Sequence, residues 1–427
     1  MTGPARRRAA WPVPRHPTAE MAFSGNTNAR WEARMELRLP RPDESLTVIL
    51  KLAGAACNIN CYYCYEKRKP YPDENWLSPE TLGKFLRTAG TRPLRIVLHG
   101  GEPLLIGTAR MRPLLELMRS YPGPLEMTMQ TNGMLLTDAW VDLFDEYFPD
   151  IDIGVSIDGP RSANAYRVDY RDLPTFDRML RGVELLHRRG KTIAVCVTVT
   201  KLVLDRAAET MAMIAELPHV RAVRLSPCLD YNVTTIKFPK GNAQSLSLLN
   251  GSGQGAAGWA TTPHEYARFV ADCFDVWHER HFRQFLVEPL FSMLLHFSGA
   301  DVTLTDWSLT KEPFIVALYP DGTIGASEEI STPDARIGHV DTVRDLDEIV
   351  AMQRNPVLRE AMESLLDSCT GCSHARVCAG GSLADRLRLV GTDWDHEYCE
   401  SRRWLIDYVR NRCEHFGVPL RPAVGAG

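Results

Sequence analysis

The sequence predicts an α/β protein in which a partial (β/α)6 barrel, similar to an incomplete TIM barrel, precedes a smaller cysteine-rich domain. From residue 46 onward, short β-rich runs alternate with amphipathic stretches, which is typical of parallel strands joined by right-handed crossovers. Six such units occur, whereas a closed barrel needs eight. The cysteines support a second domain, because seven of the eleven fall into two groups far apart in the chain.

The six strands are predicted from short runs of aliphatic and β-branched residues, at 46–52, 94–99, 125–130, 151–157, 192–199 and 220–226. Stretches with helical periodicity lie between them, at 79–90, 107–120, 137–148, 174–190 and 203–216. In a barrel of parallel strands, functional residues are expected where the strands end, at their carboxyl edge.

The chain divides into five predicted segments: a flexible tail over 1–45, the barrel over 46–230, a loop over 231–262, a packing helix over 263–299 and the cysteine-rich domain over 300–420. The tail is basic and rich in proline, and it lacks the apolar core of a signal peptide. An alternative for the tail is a peptide-docking arm. The loop is rich in glycine and serine, which indicates a mobile connection.

Beyond the loop, one helix is predicted from Pro263 to about Phe297, with a break indicated at "HERHFR" (278–283). Within it, Trp277 and His281 are expected to be core and surface residues rather than site residues. Residues 314–327 predict a β-hairpin that turns at Asp321-Gly322. An amphipathic helix is predicted near the C-terminus, at 400–416.

The overall composition predicts a cytoplasmic protein with neither a nucleic-acid nor a membrane partner. The formal net charge of the 427 residues is −4, and no apolar run reaches the length that spans a bilayer. Eleven cysteines in a cytoplasmic chain favour metal binding or catalysis over disulfides. Four cysteines stand alone and are expected to be buried structural residues: Cys196, Cys228, Cys273 and Cys413.

The stretch "CNINCYYC" places three cysteines, Cys57, Cys61 and Cys64, directly after the first predicted strand. Thiolates at such offsets can converge on a soft metal centre, and iron–sulfur clusters are held in this way. The alternative is a zinc site completed by a remote ligand such as His99, although structural zinc normally uses paired CxxC units.

Three further polar motifs follow the next predicted strands in order. The stretch "HGGEPLL" (99–105) follows the second strand, "MQTNG" (129–133) the third and "VSIDGP" (155–160) the fourth, with Arg167 shortly afterwards in "AYRVDYRD". The glycines of the first motif permit close approach of the backbone. A simple strand-to-helix turn with Pro103 at a helix start also accounts for part of that motif.

With Tyr63 before its last cysteine, the CxxxCxxC loop resembles the signature of the radical S-adenosylmethionine superfamily, and the later motifs resemble that family in order and spacing. The resemblance implies that the three thiolates bind three irons of a [4Fe–4S] cluster, while S-adenosylmethionine chelates the fourth. Reduction of the cluster would cleave this cosubstrate into methionine and a 5′-deoxyadenosyl radical. The cofactors would thus carry the difficult chemistry, and the protein would position them.

The resemblance also implies the residues that contact S-adenosylmethionine. The GGEP segment would hold its ammonium group, Ser156 and Asp158 would read its ribose and methionyl groups, and Arg167 would pair with its carboxylate. A surface salt bridge is the alternative for Arg167. The full set of candidate cofactor-binding residues is Tyr63, Gly100, Gly101, Glu102, Pro103, Gln130, Thr131, Asn132, Ser156, Asp158 and Arg167.

The C-terminal cysteines, Cys369, Cys372, Cys378 and Cys399, could fully ligate one further cluster, with a zinc site as the alternative. In a chain that also has the CxxxCxxC loop, these four cysteines resemble the SPASM/twitch extension. The full form of that extension has seven cysteines and two auxiliary clusters. Here serines, Ser327 and Ser382, occupy two of the family's cysteine positions. We therefore expect one auxiliary [4Fe–4S] cluster.

Glu328 follows Ser327, and in related sulfatase-maturating enzymes a carboxylate base lies at this position. Glu328 could take a proton from the substrate as the substrate loses an electron. The adjacent Glu329 is an alternative base, and solvent-facing hairpin charges are the alternative for both.

The resemblance is greatest to branches that modify peptides and proteins, so the predicted function is a peptide maturase that forms an oxidative C–C, ether or thioether crosslink. The alternatives are a formylglycine-generating sulfatase maturase, a small-molecule dehydrogenase and a non-catalytic iron–sulfur protein. Expected partners are a precursor peptide or protein and a reductant such as flavodoxin or ferredoxin. About 45 residues precede the first strand, which we expect to be too few for a leader-binding module. Leader binding would then use the barrel rim, residues 231–262, the tail or a separate leader-binding protein.

Overall fold

The predicted alternation of strands and helices is confirmed by a computed structural model, which describes residues 39–66, 76–228, 258–300, 307–326, 330, 335–350, 355–389 and 394–417. Six parallel strands lie where the sequence places them: β1 Leu46–Lys51, β2 Leu94–His99, β3 Leu125–Thr131, β4 Asp152–Ser156, β5 Ile193–Val199 and β6 Val220–Pro227. The helices between them are α1 Pro79–Ala89, α2 Thr108–Arg119, α3 Asp138–Tyr147, α4 Phe176–Arg188 and α5 Ala207–Glu216.

Local sequence fixes the ends of these helices. In α1 the hydroxyl of Ser78 accepts a hydrogen bond from the backbone N–H of Thr81, Pro79 begins the first turn, and Gly90 ends the last one. The apolar residues of α1 face the sheet, where Leu82 and Phe85 are fully buried. Burial of each such side chain contributes about 1.5–3 kcal/mol to stability.

The sheet extends beyond the six predicted strands on both sides. Within the described residues its order is β10-β9-β8-β1-β2-β3-β4-β5-β6-β7. The added strands are β7 Leu286–Glu288, β8 Ile315–Leu318, β9 Thr323–Gly325 and β10 Arg336–His339. Strand β8 pairs in parallel with β1, and β9 then returns antiparallel to it, so the predicted hairpin forms but joins the barrel sheet.

The single helix predicted from Pro263 to about Phe297 is wrong in one respect. Helix α6, Pro263–Val276, continues into a π-helical turn, Trp277–His281, after which β7 and helix α7, Leu290–Ser298, follow. The indicated break at 278–283 is thus confirmed. The chain leaves the helix there because Leu286–Glu288 pairs with β6 in parallel. As expected, the Trp277 side chain is fully buried, and its indole N–H donates to the carbonyl of Phe285.

Side chains alternate between the two faces of the sheet, and the faces differ in polarity. The outer face is apolar, and Val48, Ile96 and Val155 on it have no exposed surface. The inner face lines the barrel lumen with polar and half-buried side chains at the carboxyl ends of the strands: His99, Gln130, Ser156 and Cys196. The main core therefore lies between the sheet and the helices, whereas these polar side chains of the lumen are only partly covered. Burial is confirmed for Cys228, Cys273 and Cys413, but the expectation for Cys196 is wrong, because its side chain is half-buried in the lumen.

The C-terminal region is helical: α8 Asp347–Val350, α9 Pro356–Asp367, α10 Ala375–Cys378, α11 Leu383–Leu389 and α12 Trp394–His415. Helix α12 begins six residues before the predicted start at 400, so Cys399 lies within it. The carboxylate of Asp275 on α6 accepts hydrogen bonds from Tyr408 at 2.7 Å and from Arg412 at 2.8 Å. These contacts hold α12 against α6.

Within the described ranges, every helix is too short or too polar to span a bilayer.

Candidate active site

The three-cysteine loop leaves β1 at the carboxyl edge of the sheet and lies on the segment that follows β4. Its backbone is tied to that segment by Asn60 N–H to the carbonyl of Val168, at 2.6 Å, and by Tyr62 N–H to the carbonyl of Tyr166, at 3.1 Å. All three thiols, those of Cys57, Cys61 and Cys64, are half-buried. The loop is therefore anchored both to the end of β1 and to the segment that follows β4.

The two glycines of the GGEP segment let it pack directly against the start of the cysteine loop. A Cβ atom on Gly101 would lie 2.1 Å from the carbonyl oxygen of Ala56, and one on Gly100 would lie 2.8 Å from that of Gly54. Gly101 N–H and Glu102 N–H donate to these same two carbonyls, each at 2.9 Å. The close approach expected from the glycines thus occurs between two stretches of backbone, one of which leads into Cys57.

Glu102 joins the end of β2 to the end of β3. Its carboxylate is fully buried and accepts hydrogen bonds from the Thr131 hydroxyl at 2.8 Å, from Asn132 N–H at 2.8 Å and from Leu104 N–H at 3.2 Å. The last bond caps the short 3-10 turn that begins at Pro103. Burial raises the pKa of Glu102 to about 7, and the three donors oppose this rise.

Asn132 extends this connection to the cysteine loop. Its side-chain Nδ2 donates to Asn58 Oδ1 at 2.7 Å and lies 3.8 Å from Cys57 Sγ, and its Oδ1 accepts from Met134 N–H at 3.0 Å. The amide is buried and thereby held in one orientation. The first thiol of the loop therefore has an oriented amide donor beside it.

Tyr63, Asp158 and Arg167 form a buried chain of hydrogen bonds beneath the loop. The Tyr63 hydroxyl donates to Asp158 Oδ2 and accepts from Arg167 Nη1 at 2.6 Å. Asp158 Oδ1 also accepts from Thr198 N–H at 3.0 Å, and Arg167 Nη1 lies 3.7 Å from it. Burial raises the pKa of Asp158, and the Arg167 charge opposes this rise. Arg167 is thus in an ion pair, but a buried one rather than the surface salt bridge considered above.

Gln130, Ser156 and Cys196 meet on the luminal face of three neighbouring strands. Gln130 Nε2 donates to Ser156 Oγ at 3.0 Å, and the Cys196 thiol lies 3.2 Å from Gln130 Oε1. Gly154 makes room for the amide, because a Cβ there would lie 2.3 Å from Gln130 Oε1. Ser156 and Asp158, paired in the sequence interpretation, therefore have separate partners.

A buried cation at the end of β1 was not found from the sequence. Lys51 Nζ donates to Glu66 Oε1 at 2.7 Å and lies 3.3 Å from Nδ1 of His99, and neither Lys51 nor Glu66 is more than 4% exposed. The pair ties the residue two positions after Cys64 to the sheet. A lysine at the polar end of an otherwise aliphatic strand, "LTVILK", was the available signal.

Two of the four C-terminal cysteines lie in the connection between α9 and α10, and the other two lie in helices α10 and α12. Cys369 follows α9, Cys372 lies in the next turn, Cys378 ends α10 and Cys399 lies in α12. Burial raises the pKa of the Cys399 thiol, the Arg386 charge opposes this rise, and the neighbouring thiols of Cys378 and Cys369 add to it. Ser382, at a cysteine position of the related extension, uses its hydroxyl to accept from Asp385 N–H at 3.3 Å, at the start of α11.

The residues of the three-cysteine loop fit an iron–sulfur cluster and a polar cosubstrate. Across the described ranges, no set of three or more His, Cys, Asp or Glu side chains gathers as ligands of a single metal ion. In a [4Fe–4S] cluster each thiolate binds a different iron. Two buried nitrogens beside the loop, Asn58 Nδ2 and Arg167 Nε, have no hydrogen-bond partner within the described part of the chain. They are the donors that a polar ligand at this position could use.

Several predicted features lie outside the described residues. These are the candidate base Glu328, the alternative base Glu329, the substituted position Ser327, the N-terminal residues 1–38 and most of the predicted loop 231–262.

Comparison with known proteins identifies the region that carries the three-cysteine loop. Residues 53–215 match the family model of the Radical SAM superfamily. A serine-type anaerobic sulfatase-maturating enzyme from Klebsiella aerogenes is 27% identical over 360 residues, which cover 81% of this chain and 81% of that protein. A cysteine-type anaerobic sulfatase-maturating enzyme from Clostridium perfringens is 22% identical over 386 residues, which cover 85% of this chain and 96% of that protein.

Solved structures share the fold. The structure of native anSMEcpe with bound AdoMet and Cp18Cys peptide has a TM-score of 0.70 and 20% identity, and the match covers 87% of this chain and 99% of that one. The structure of Streptococcus suis SuiB bound to S-adenosylmethionine has a TM-score of 0.55 and 14% identity, covering 81% and 75%. With its cysteine loop at the carboxyl edge of the sheet, this chain carries a domain of the radical SAM superfamily over residues 53–215.

Proposed function

We propose that this chain is a radical S-adenosylmethionine maturase that oxidises a side chain or backbone position of a peptide or protein. The observation that carries the proposal is the cysteine loop of residues 57–64, held at the carboxyl edge of the sheet within the region that matches the family. The similarity to sulfatase-maturating enzymes over 81% of the chain supports a peptide or protein substrate.

In this proposal, the side chains described above divide the work of binding. Cys57, Cys61 and Cys64 hold three irons of a [4Fe–4S] cluster, and Asn132 orients the first of them. Arg167 binds the carboxylate of S-adenosylmethionine, because its Nε is buried without a partner in the described residues and a guanidinium fork suits a carboxylate. Glu102 already accepts three hydrogen bonds, so we assign the ammonium contact of the GGEP segment to backbone carbonyls.

We further propose that Cys369, Cys372, Cys378 and Cys399 hold one auxiliary [4Fe–4S] cluster. When bound, the cofactors supply a 5′-deoxyadenosyl radical that takes one hydrogen atom from the substrate and an acceptor for the one electron that then leaves it. The proton lost with that electron goes to a base of the protein, for which Glu328 is our candidate. The substrate thus loses two hydrogens in total, one as an atom and one as a proton and an electron.

Two products are consistent with this balance. Formylglycine formation is favoured by the sulfatase-maturating relatives. On a serine the two-hydrogen loss gives the aldehyde directly, whereas on a cysteine it gives a thioaldehyde that water then converts to the aldehyde with release of hydrogen sulfide. A carbon–carbon, ether or thioether crosslink is favoured by the serines at 327 and 382, because the related extension has cysteines there and a second auxiliary cluster. In either case we propose a cytoplasmic enzyme reduced by a flavodoxin- or ferredoxin-type protein, and, for a crosslinking enzyme, a separate leader-binding partner.

The test is an anaerobic incubation of the reconstituted, reduced protein with sulfatase-derived peptides that contain serine or cysteine, and with short peptides encoded beside the gene. Mass spectrometry should show that the peptide has lost two hydrogens when a serine is oxidised or a crosslink forms. Formylglycine made from cysteine should instead appear with the loss of sulfur. Reaction with a hydrazide distinguishes the aldehyde of formylglycine from a crosslink of equal mass. Oxidation of small alcohols or sugars, with every peptide left unmodified, would contradict a peptide or protein substrate.

A further inference from the structure

Two buried arginines point at the sulfur atoms of the C-terminal cysteines. Arg402 Nε lies 3.2 Å from Cys378 Sγ, and Arg386 Nη1 lies 3.6 Å from Cys369 Sγ. Both side chains come from helices that flank these thiols, Arg386 from α11 and Arg402 from α12. Each arginine is only 8% exposed, so water screens neither charge well.

The packing around Arg402 fixes its guanidinium in this direction. The group lies over the Trp307 ring, 4.0 Å from its centroid, and within 5.4 Å of the Tyr398 centroid. Its Nη2 donates to the carbonyls of Trp307 at 2.7 Å and Cys378 at 3.2 Å. With these contacts satisfied, Nε is left to face the Cys378 sulfur.

Arg386 is held in a similar way by neutral acceptors. Its Nη1 donates to the carbonyls of Gly380 at 3.2 Å and Leu365 at 3.4 Å, and its Nη2 donates to Ser368 Oγ at 3.2 Å. Within the described part of the chain, no carboxylate lies within salt-bridge distance of Arg386 or Arg402. Two buried cations without anionic partners are costly unless an anion is bound beside them.

The bound anion that fits this position is the auxiliary cluster itself. A [4Fe–4S] core with four cysteine thiolates carries a net charge of about −2, and reduction adds one further negative charge. Two guanidinium groups therefore balance the oxidised cluster. They stabilise the reduced form even more strongly, because it is more negative.

We propose that Arg386 and Arg402 compensate the charge of the auxiliary cluster and raise its reduction potential, so that it accepts an electron more readily. Their N–H···S contacts and positive charge act on the thiolates, and hydrogen bonds to ligand sulfurs and local charge are known determinants of cluster potential. This inference rests on the auxiliary cluster of the proposed function. It adds the residues that set the cluster's potential.

The experiment measures the midpoint potential of the auxiliary cluster alone. A full-length parent protein with Cys57→Ala, Cys61→Ala and Cys64→Ala removes the radical cluster, and a dithionite titration followed by electron paramagnetic resonance then reports the remaining one. In this parent, Arg402→Met and Arg386→Met should each lower the equilibrium constant for one-electron reduction of the cluster at least tenfold. This corresponds to a shift of the midpoint potential by about 59 mV to more negative values. Arg402→Lys retains the charge and should recover part of the shift.

Arg403→Met is the matched control, because Arg403 lies next to Arg402 on α12 but is exposed, and its Nε donates to the carbonyl of Cys399 at 3.3 Å. Its potential should equal that of the parent. Unchanged potentials in Arg402→Met and Arg386→Met would overturn the inference, as would an equal shift in Arg403→Met. Iron content and circular dichroism identify a variant that fails to fold. If a methionine variant fails, the midpoint potentials of Arg402→Lys and Arg403→Met are compared instead, and equal potentials in the two would overturn the inference. A parent without iron would instead remove the auxiliary cluster, and with it this inference.

Discussion

The carboxylate of Glu102 accepts a hydrogen bond from the backbone N–H of Asn132 at 2.8 Å, joining the ends of two neighbouring strands. On one side, Glu102 belongs to a segment whose backbone pairs with Gly54 and Ala56, just before the first thiol of the cysteine loop. On the other side, the Asn132 amide lies 3.8 Å from that thiol's sulfur. The segments that follow two neighbouring strands thus both contact the start of the cysteine loop, one through the backbone before Cys57 and one beside its thiol.

Glu102→Ala should destabilise the fold by roughly 3 kcal/mol, because three buried donors lose their acceptor and each unsatisfied group costs about 1–3 kcal/mol. Chemical denaturation under anaerobic conditions measures the free energy of unfolding. The control is Glu126→Ala on β3, an exposed carboxylate paired with Arg95, which should change stability by less than about 0.5 kcal/mol. Equal effects of the two substitutions would show that the Glu102 contacts do not support the fold.

Asn132→Asp should reduce iron binding by the cysteine loop about 10- to 100-fold, the usual range for residues that orient metal ligands. The substitution retains the acceptor for Met134 N–H but replaces the amide donor near Cys57 with a carboxylate. Like charges would then meet beside the thiolates. Iron counted per chain, together with visible absorbance after reconstitution, measures the effect, and full occupancy in the variant would contradict the assigned role.

Arg167→Lys should raise the dissociation constant for S-adenosylmethionine about tenfold, because a lysine retains the charge but loses the planar fork that suits a carboxylate. Anaerobic equilibrium binding measures this constant. Arg161→Lys is the control, since Arg161 forms an ion pair with Asp177 on the surface and both side chains are 62% exposed. The same affinity in both variants would remove Arg167 from the cosubstrate site.

Glu328→Gln should slow formation of the modified peptide, while cleavage of S-adenosylmethionine continues without peptide modification. The amide cannot take the proton that the substrate loses with its electron. The ratio of 5′-deoxyadenosine to modified peptide, measured by liquid chromatography and mass spectrometry, should therefore rise. Undiminished peptide turnover would show that Glu328 is not the base, and Glu329→Gln tests the alternative in the same assay.

Much of the barrel could be predicted from sequence, because each strand is a short aliphatic run and each helix has clear amphipathic spacing. Strand β7 was not predicted, and β8 was predicted as part of the hairpin but not as a neighbour of β1. Leu286–Glu288 has only three residues, and Ile315–Leu318 pairs with β1 across more than 260 residues of chain. Local patterns carry no information about such distant pairing.

In the site, too, the sequence predicted which residues take part but not how they are arranged. Tyr63, Asp158 and Arg167 were all candidate residues, yet their mutual hydrogen bonds join segments that are far apart in sequence. Arg386 and Arg402 were not found at all. The signal was present for Arg402, which lies three residues after Cys399 and so shares a helix face with it. An arginine close to a cysteine in sequence is common. It indicates charge compensation only when the structure shows that the arginine is buried, and the sequence does not show that.

The most direct test of the account is whether anaerobically reconstituted protein, reduced with dithionite, converts S-adenosylmethionine into 5′-deoxyadenosine. We predict that the wild-type chain forms it and that the variant with Cys57→Ala, Cys61→Ala and Cys64→Ala forms none, while that variant retains the iron of the auxiliary cluster. A wild-type protein that leaves the cosubstrate intact, or a triple variant that still cleaves it, would contradict the assignment of the cysteine loop as the active site.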